Sequence, residues 1–330
     1  MKAIVYNRYG PPEVLRYEEV EKPAPKEDEV RIRVLAASVN PLDWRIRSGT
    51  PFFVRLMMGL SESKLKRPGV DVAGRVEAVG PKVTRLRAGD AVFGSCRGAF
   101  AEYVCTPESS VVTKPANVTF EEAAAVPIAG YTALQALRNK GHVQPGQKVL
   151  INGASGGVGT FAVQIAKSFG ADVTGVCSTR NVEMVRSIGA DRVVDYSRED
   201  FTKSGQRYDV IVDNAGNHSV SEVRRAVSPG GICVSVGGPW IGYVPLLTEM
   251  IKAAVSSRFS DRKMRTLLAR RNPEDLATLR DLLEAGKVKP VIDRRYKLSE
   301  VPEAIRYLEE GHARGKVVIT VEEDKEVGRP

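Results

Sequence analysis

The sequence predicts an α/β protein built as a β-rich domain plus a domain with a doubly wound parallel sheet, and three observations carry that prediction. Residues 1–122 alternate short apolar runs with turn residues. Residues 123–289 settle into a regular beat of strand-length apolar runs and amphipathic helix-length runs, the pattern of a parallel sheet covered on both faces by helices. Residues 290–330 switch to a strand, a helix and a final strand, read as a return to the first domain. A chain of 330 residues is long enough to bury two cores.

In the first domain VRIRVLAASV (30–39) and DVAGRVEAVG (71–80) alternate or run apolar at strand length. AVFGSC and AFAEYVC follow the turn signals Ala88-Gly89-Asp90 and Arg97-Gly98, and Lys114-Pro115 closes the region. FEEAAAVPIAGYTALQALRNK reads as helical with a break near Pro127. Then come the strand KVLIN (148–152) and the amphipathic helix GGVGTFAVQIAKSFG (156–170), closed by Gly170. ADVTGVCS is a strand, NVEMVRSIG a helix, RVVDY a strand, DVIVDNAG a strand, SVSEVRRAV a helix and GICVSVGG a strand. Residues 240–270 are the least legible: a helix is expected first, and RKMRTLLAR fits strand or helix. KPVIDRRY, LSEVPEAIRYLEEGH and GKVVITV supply the closing strand, helix and strand.

The longest uncharged run, Ser228 to Thr248, has the length of a bilayer span, but Pro229, Pro239, Pro245 and five glycines make it strand plus loops. MKAIVYNRYG has no apolar run of signal-peptide length, and a cytoplasmic location is expected. The net charge of +9 raises nucleic-acid binding as a possibility. The basic residues are scattered among 40 acidic ones, however, and the densest groups, Lys64–Lys66–Arg67 and Arg262–Lys263–Arg265, are short. Solvated faces and a preference for anionic ligands are therefore expected. Cys96, Cys105, Cys177 and Cys233 form no CxxC pair, and His142, His218 and His312 lie far apart. That excludes a zinc site of ordinary ligand spacing and reads as reduced, buried thiols.

The run INGASGGVGT (151–160) follows a strand and opens a helix, which is where a dinucleotide-binding fingerprint belongs. Ala154, Gly156 and Gly159 match its spacing with alanine in first place. Bare backbone lets a pyrophosphate approach the free amides of the helix start. An acidic residue that would hold the ribose 2′-hydroxyl of NAD is expected about 20 residues on; Ser178, Thr179, Arg180 and Asn181 stand there instead. A hydroxyl pair and an arginine suit a 2′-phosphate, so the expected cofactor is NADPH. Tyr196, ending VVDY, is placed to flank the adenosine or to anchor a strand end.

AGYTAL (129–134), PGVDVAGRVEAVG (68–80), the glycine turn, CSTRN and GHARGKVVIT together resemble the medium-chain dehydrogenase/reductase superfamily over essentially the whole chain. The likeness is to its zinc-independent quinone oxidoreductase branch, including the reticulon-interacting oxidoreductase group. It implies a GroES-like β domain and a Rossmann domain, with boundaries at 1–122, 123–289 and 290–330. Zinc-dependent members carry a cysteine where this chain has Asn40, and Gly-His-Glu where it reads Gly69-Val70-Asp71. A metal-polarised mechanism is therefore not expected. The resemblance implies that Asn40 and Asp43 border the nicotinamide and substrate pocket, and that Thr132 contacts the nicotinamide end. It implies that Ser155, Gly156, Gly157 and Val158 cradle the pyrophosphate, and that Ser178, Arg180 and Tyr196 hold the adenosine phosphate. Gly237 and the run Arg314–Gly315–Lys316 complete the cofactor cleft. A homodimer is implied as well.

Without a metal, the electrophile must accept hydride readily, as quinones and enones do, and the chain must offer a donor to the carbonyl oxygen that gains charge. The Asn40 amide is the expected donor. Asp43 is expected to be exposed, ionised and to orient Asn40 or its loop. Trp44, Phe52 and Phe53 fit either an apolar substrate wall or loop anchors. Two other functions stay open: a cofactor-binding sensor or structural partner with little turnover, and an RNA-contacting protein.

Overall fold

The strand Glu29–Val39 organises the first part of the chain. Its burial alternates at the start and becomes continuous toward Val39, because neighbours cover it along its length. It pairs antiparallel with Asp71–Val79, with Tyr103–Pro107 and with Lys316–Thr320. The computed structural model describes residues 1–50, 66–236 and 261–321 and divides into two units. The first comprises Met1–Ile128, Arg271–Gly286 and Pro290–Pro330, the second Ala129–Arg270 and Lys287–Lys289.

The main sheet of the first unit runs Ile292–Lys297, Lys316–Thr320, Glu29–Val39, Asp71–Val79, Ala91–Ser95, Val111–Thr113, and Tyr103–Pro107 joins it on Glu29–Val39. Ile32, Val34, Val72, Val92, Phe100, Val317 and Ile319 are fully buried in its core. The helix Val301–Glu309 adds Val301, Ala304 and Ile305. The last strand enters this sheet, and its register sets Val317 opposite Val39.

Two helices of this unit have no counterpart in the sequence reading. Pro41–Ser48 starts with proline at its first position and ends on Gly49 at φ 63°. Pro273–Glu284 starts on the Asn272 cap and buries Leu276, Leu279 and Leu283. The second of these falls in a stretch expected to belong with the parallel sheet. It groups with the first unit instead, where Asn117 donates to the carbonyls of Leu283 and Glu284 at 2.9 and 3.3 Å, satisfying carbonyls that a helix C-terminus leaves open.

The sheet of the second unit is parallel throughout, in the order Arg192–Asp195, Asp172–Cys177, Lys148–Asn152, Tyr208–Asp213, Val227–Val236, Lys263–Leu267. This is the 3-2-1-4-5-6 order of a doubly wound fold, whose ligands bind beyond the carboxyl ends of the strands. RKMRTLLAR resolves as strand, with Lys263 beside Ile232. The uncharged run from Ser228 begins inside Val227–Val236 and continues outside the described residues. No described helix is long and apolar enough to cross a membrane.

Candidate functional site

In the second unit the chain leaves Lys148–Asn152, turns through Gly153–Ser155 and enters the helix Gly157–Ser168 with Gly156 as its cap. No side chain caps that helix start, so its first amides are open to a ligand. A Cβ on Gly156 would meet only the Gly153 carbonyl oxygen, at 3.5 Å; the space before it is clear. A Cβ on Gly159 would lie 2.1 Å from the same oxygen and 2.8 Å from Ala154. Gly159 is therefore what lets the turn lie against the helix.

Ser155 and Ser178, singled out separately in the sequence, are joined by a third residue. The buried Asn181 donates to Ser155 Oγ at 3.0 Å and to Ser178 Oγ at 3.1 Å. Its own Oδ1 is buried without a hydrogen-bond partner, an acceptor suited to a ligand hydroxyl. No sequence argument assigned Asn181 a role; its position before the helix Val182–Ser187 was the available signal.

At the next strand end the hydroxyl pair is split. Thr179 donates to Asp195 Oδ2 at 2.7 Å, and the Ser197 amide donates to Asp195 Oδ1 at 3.0 Å. The Thr179 hydroxyl holds the Asp195 carboxyl below the usual carboxylate range. So although the second strand ends without an acid, its neighbour supplies one two strand-ends away from the cradle. Arg180 and Tyr196 are exposed, the tyrosine by 59%. Arg198 lies 3.4 Å from Asp195. Asn152, at the end of the first strand, donates to Asp213 at 2.8 Å and to Asn217 at 2.9 Å. Thr132 is buried in the helix Pro127–Leu134. Gly237, Phe52 and Phe53 lie outside the described residues.

The first unit holds a buried polar cluster of its own. Asn40, Asp43, Asp71 and Lys316 are each no more than 3% exposed. Asn40 Nδ2 donates to Asp71 Oδ2 at 2.8 Å and to the Ser38 carbonyl at 3.3 Å. Asn40 Oδ1 accepts from Lys316 Nζ at 2.5 Å. Asp71 also accepts from Ser38 Oγ at 2.9 Å and from the Ile128 amide at 3.1 Å. Asp43 Oδ2 accepts the Asn40 amide at 2.8 Å, while its Oδ1 is buried without a partner.

One expectation changes here. Asp43 is not exposed: burial pushes its carboxyl up to about 7, against the pull of the Asn40 amide. From the interior it holds the Asn40 amide at the start of Pro41–Ser48. Lys316 is buried while Arg314 is exposed. Gly315, at φ 93° with Val291 O 2.3 Å from where a Cβ would sit, turns the lysine inward. The Arg314 amide is held by Asp293 at 2.9 Å. Trp44 packs against the first unit's core.

A zinc ion does not fit this cluster. Its groups are two carboxylates, one carboxamide and an ammonium 3.8 Å from the Asp71 carboxylate, whereas zinc takes thiolates, imidazoles and carboxylates with no cation set among them. Among the described residues no three His, Cys, Asp or Glu side chains gather to hold a metal. The four cysteines are free, three buried and Cys105 half-buried. Burial pushes the Cys105 and Cys177 thiols up to about 11, away from nucleophile chemistry. A dinucleotide does fit the second unit, where the capless helix start, the clear space before Gly156 and the unmatched Asn181 acceptor converge on the strand ends.

Residues 26–116 match the alcohol dehydrogenase GroES-like domain family, and residues 188–319 match a family described as zinc-binding dehydrogenase. The chain is 36% identical, over 97% of its length and 98% of the relative's, to a chloroplast envelope quinone oxidoreductase homolog of Arabidopsis thaliana. The chain belongs to the medium-chain dehydrogenase/reductase superfamily, in its quinone oxidoreductase-like branch. It is also 34% identical, over 97% of its length and 79% of the relative's, to an NADPH-dependent alkenal/one oxidoreductase of the same plant. The solved quinone oxidoreductase of Coxiella burnetii superposes with a TM-score of 0.84 at 33% identity, covering 98% of this chain and 99% of that one. This member of the superfamily thus keeps the GroES-like and Rossmann architecture.

Two predictions follow from the geometry. Gly159→Ala forces the turn off the helix and lowers unfolding stability by about 1–3 kcal/mol, read as a lower urea midpoint. The Asp43 carboxyl is raised from 3.8 to about 7 in the folded state, so folding favours its protonated form. Its stabilising contribution is complete below the unfolded value and is lost as pH rises through the folded one. Urea midpoints measured across that window should fall with pH in the wild type and fall less in Asp43→Asn.

Proposed function

We propose that this chain is a metal-free reductase that uses NADPH to reduce quinones or α,β-unsaturated carbonyls (enones). The observation that carries this reading is Asn40 wedged between a buried cation and a buried carboxylate, with the zinc donors of the wider superfamily replaced. Bound NADPH supplies the hydride. The chain's part is to bind, orient and stabilise charge. The amides of Gly157 and Val158, with Ser155 beside them, would hold the pyrophosphate. Ser178 and Arg180 would meet the 2′-phosphate and Tyr196 would lie along the adenosine. Asn181 would fix the two serines against each other.

As hydride reaches the conjugated acceptor, negative charge grows on its carbonyl oxygen, which needs a donor. The Asn40 amide remains our candidate. Its hydrogen toward Asp71 makes a bond of 2.8 Å, and the other reaches the Ser38 carbonyl at only 3.3 Å; the second is the weaker bond and the one left to share with a substrate oxygen. Asp43 holds the Asn40 backbone, and water supplies the last proton. The names of the plant relatives support the substrate class and the cofactor. A homodimer belongs to the same reading, by resemblance to the family.

Arg180→Ala should raise the dissociation constant for NADPH about tenfold to hundredfold, the worth of one charge-assisted bond, and leave NADH binding nearly unchanged. Titration calorimetry on the pure protein checks this. Equal affinity for the two cofactors in the wild type would overturn the assignment of NADPH. Absence of turnover with NADPH and a quinone and enone panel would favour the sensor reading.

A further inference from the structure

We propose that Lys316 is a positioning residue whose ammonium stands in for a metal ion: it balances Asp71 and holds Asn40 as a polarised hydrogen-bond donor. The inference rests on the reductase reading for its turnover arm and on geometry for the rest. Lysine is almost never buried without a partner, and Lys316 is 3% exposed. The direct ion pair with Asp71 is long, at 3.8 Å. Between the two charges stands the Asn40 carboxamide, taking 2.5 Å from the ammonium and giving 2.8 Å to the carboxylate. The Val39 carbonyl takes a further, longer bond of 3.4 Å from Nζ.

Three consequences follow. The carboxamide has a single workable orientation, because turning it over would set its NH2 against an ammonium and its oxygen against a carboxylate. A cation on the amide oxygen draws electron density from the nitrogen and strengthens both N–H donors. And a cation fixed at that point repels any divalent metal from Asp71. The backbone is built for this: the register that sets Val317 opposite Val39 brings Lys316 level with Asn40, and Gly315 supplies the turn.

The test is a double-substitution cycle of Lys316→Met and Asp71→Asn in the full chain, read by urea midpoint, by kcat with NADPH and an enone, and by the side-chain amide resonance of Asn40 in asparagine-labelled protein. Each single substitution strands a buried charge and should lower the urea midpoint. The double variant should recover most of the midpoint. Its kcat should stay about tenfold to hundredfold below wild type, with NADPH affinity unchanged, and the Asn40 resonance should remain displaced. Recovery of kcat along with stability would reduce Lys316 to charge balance and overturn the proposal. So would an Asn40 resonance in the double variant identical to wild type. If the wild type itself reduces no quinone or enone, the reductase reading fails while the midpoint and resonance arms still decide the placement of Lys316.

Discussion

Three buried side chains, Lys316, Asn40 and Asp71, form the contact on which the first unit turns. Each comes from a different stretch of chain: Asp71 opens one strand, Lys316 opens another, and Asn40 follows the strand that both pair with. A buried ammonium and a buried carboxylate are each costly alone. Burial pulls the lysine down and pushes the aspartate up, while each opposes the shift of the other. The strand register that brings them together is thus held by electrostatics as well as by the apolar contacts of Val317, Val39 and Val72. The Ile128 amide, also bonded to Asp71, ties the start of the helix Pro127–Leu134 to the same carboxylate.

The second unit depends on a different constraint, which is space. Gly159 lets the turn after the first strand approach the helix that follows, and that approach brings Ser155 within reach of Asn181. The hydrogen bonds of Asn181 then connect the first strand end to the second through Ser178. A side chain that bridges two serines and keeps a spare acceptor differs from a surface capping residue, which would spend its oxygen on its own helix.

Much of this was legible in the chain. The strands showed as apolar runs because a parallel sheet buried on both faces needs them, and the glycine turn showed because close approach leaves only glycine. What did not show was pairing across long separations. Nothing local marks Lys316 as buried, since it stands at the very start of the closing strand; only the partner strand sets it beside Asn40. Asp43 misled for a related reason: an aspartate after Asn-Pro-Leu looks like a solvated helix start, and its burial is set by residues far along the chain. Pro273–Glu284 carried an asparagine cap and a leucine stripe, but it lies just after the poorly legible residues 240–270 and inside the stretch expected to belong with the parallel sheet.

The charge cluster also bears on which substrates the proposed chemistry can take. A metal ion bound to a carbonyl oxygen lowers the barrier by several kcal/mol, enough to serve an unactivated ketone or alcohol. A carboxamide polarised by a neighbouring ammonium offers a charge-assisted hydrogen bond, worth about 1.5–3 kcal/mol. The shortfall has to be met by the electrophile. A quinone meets it by becoming aromatic as it accepts hydride, and an enone by spreading the new charge over its conjugated carbonyl. On the proposed reading, Lys316 and Asn40 in place of a metal would narrow the substrate range to conjugated acceptors through energetics, before pocket shape selects among them.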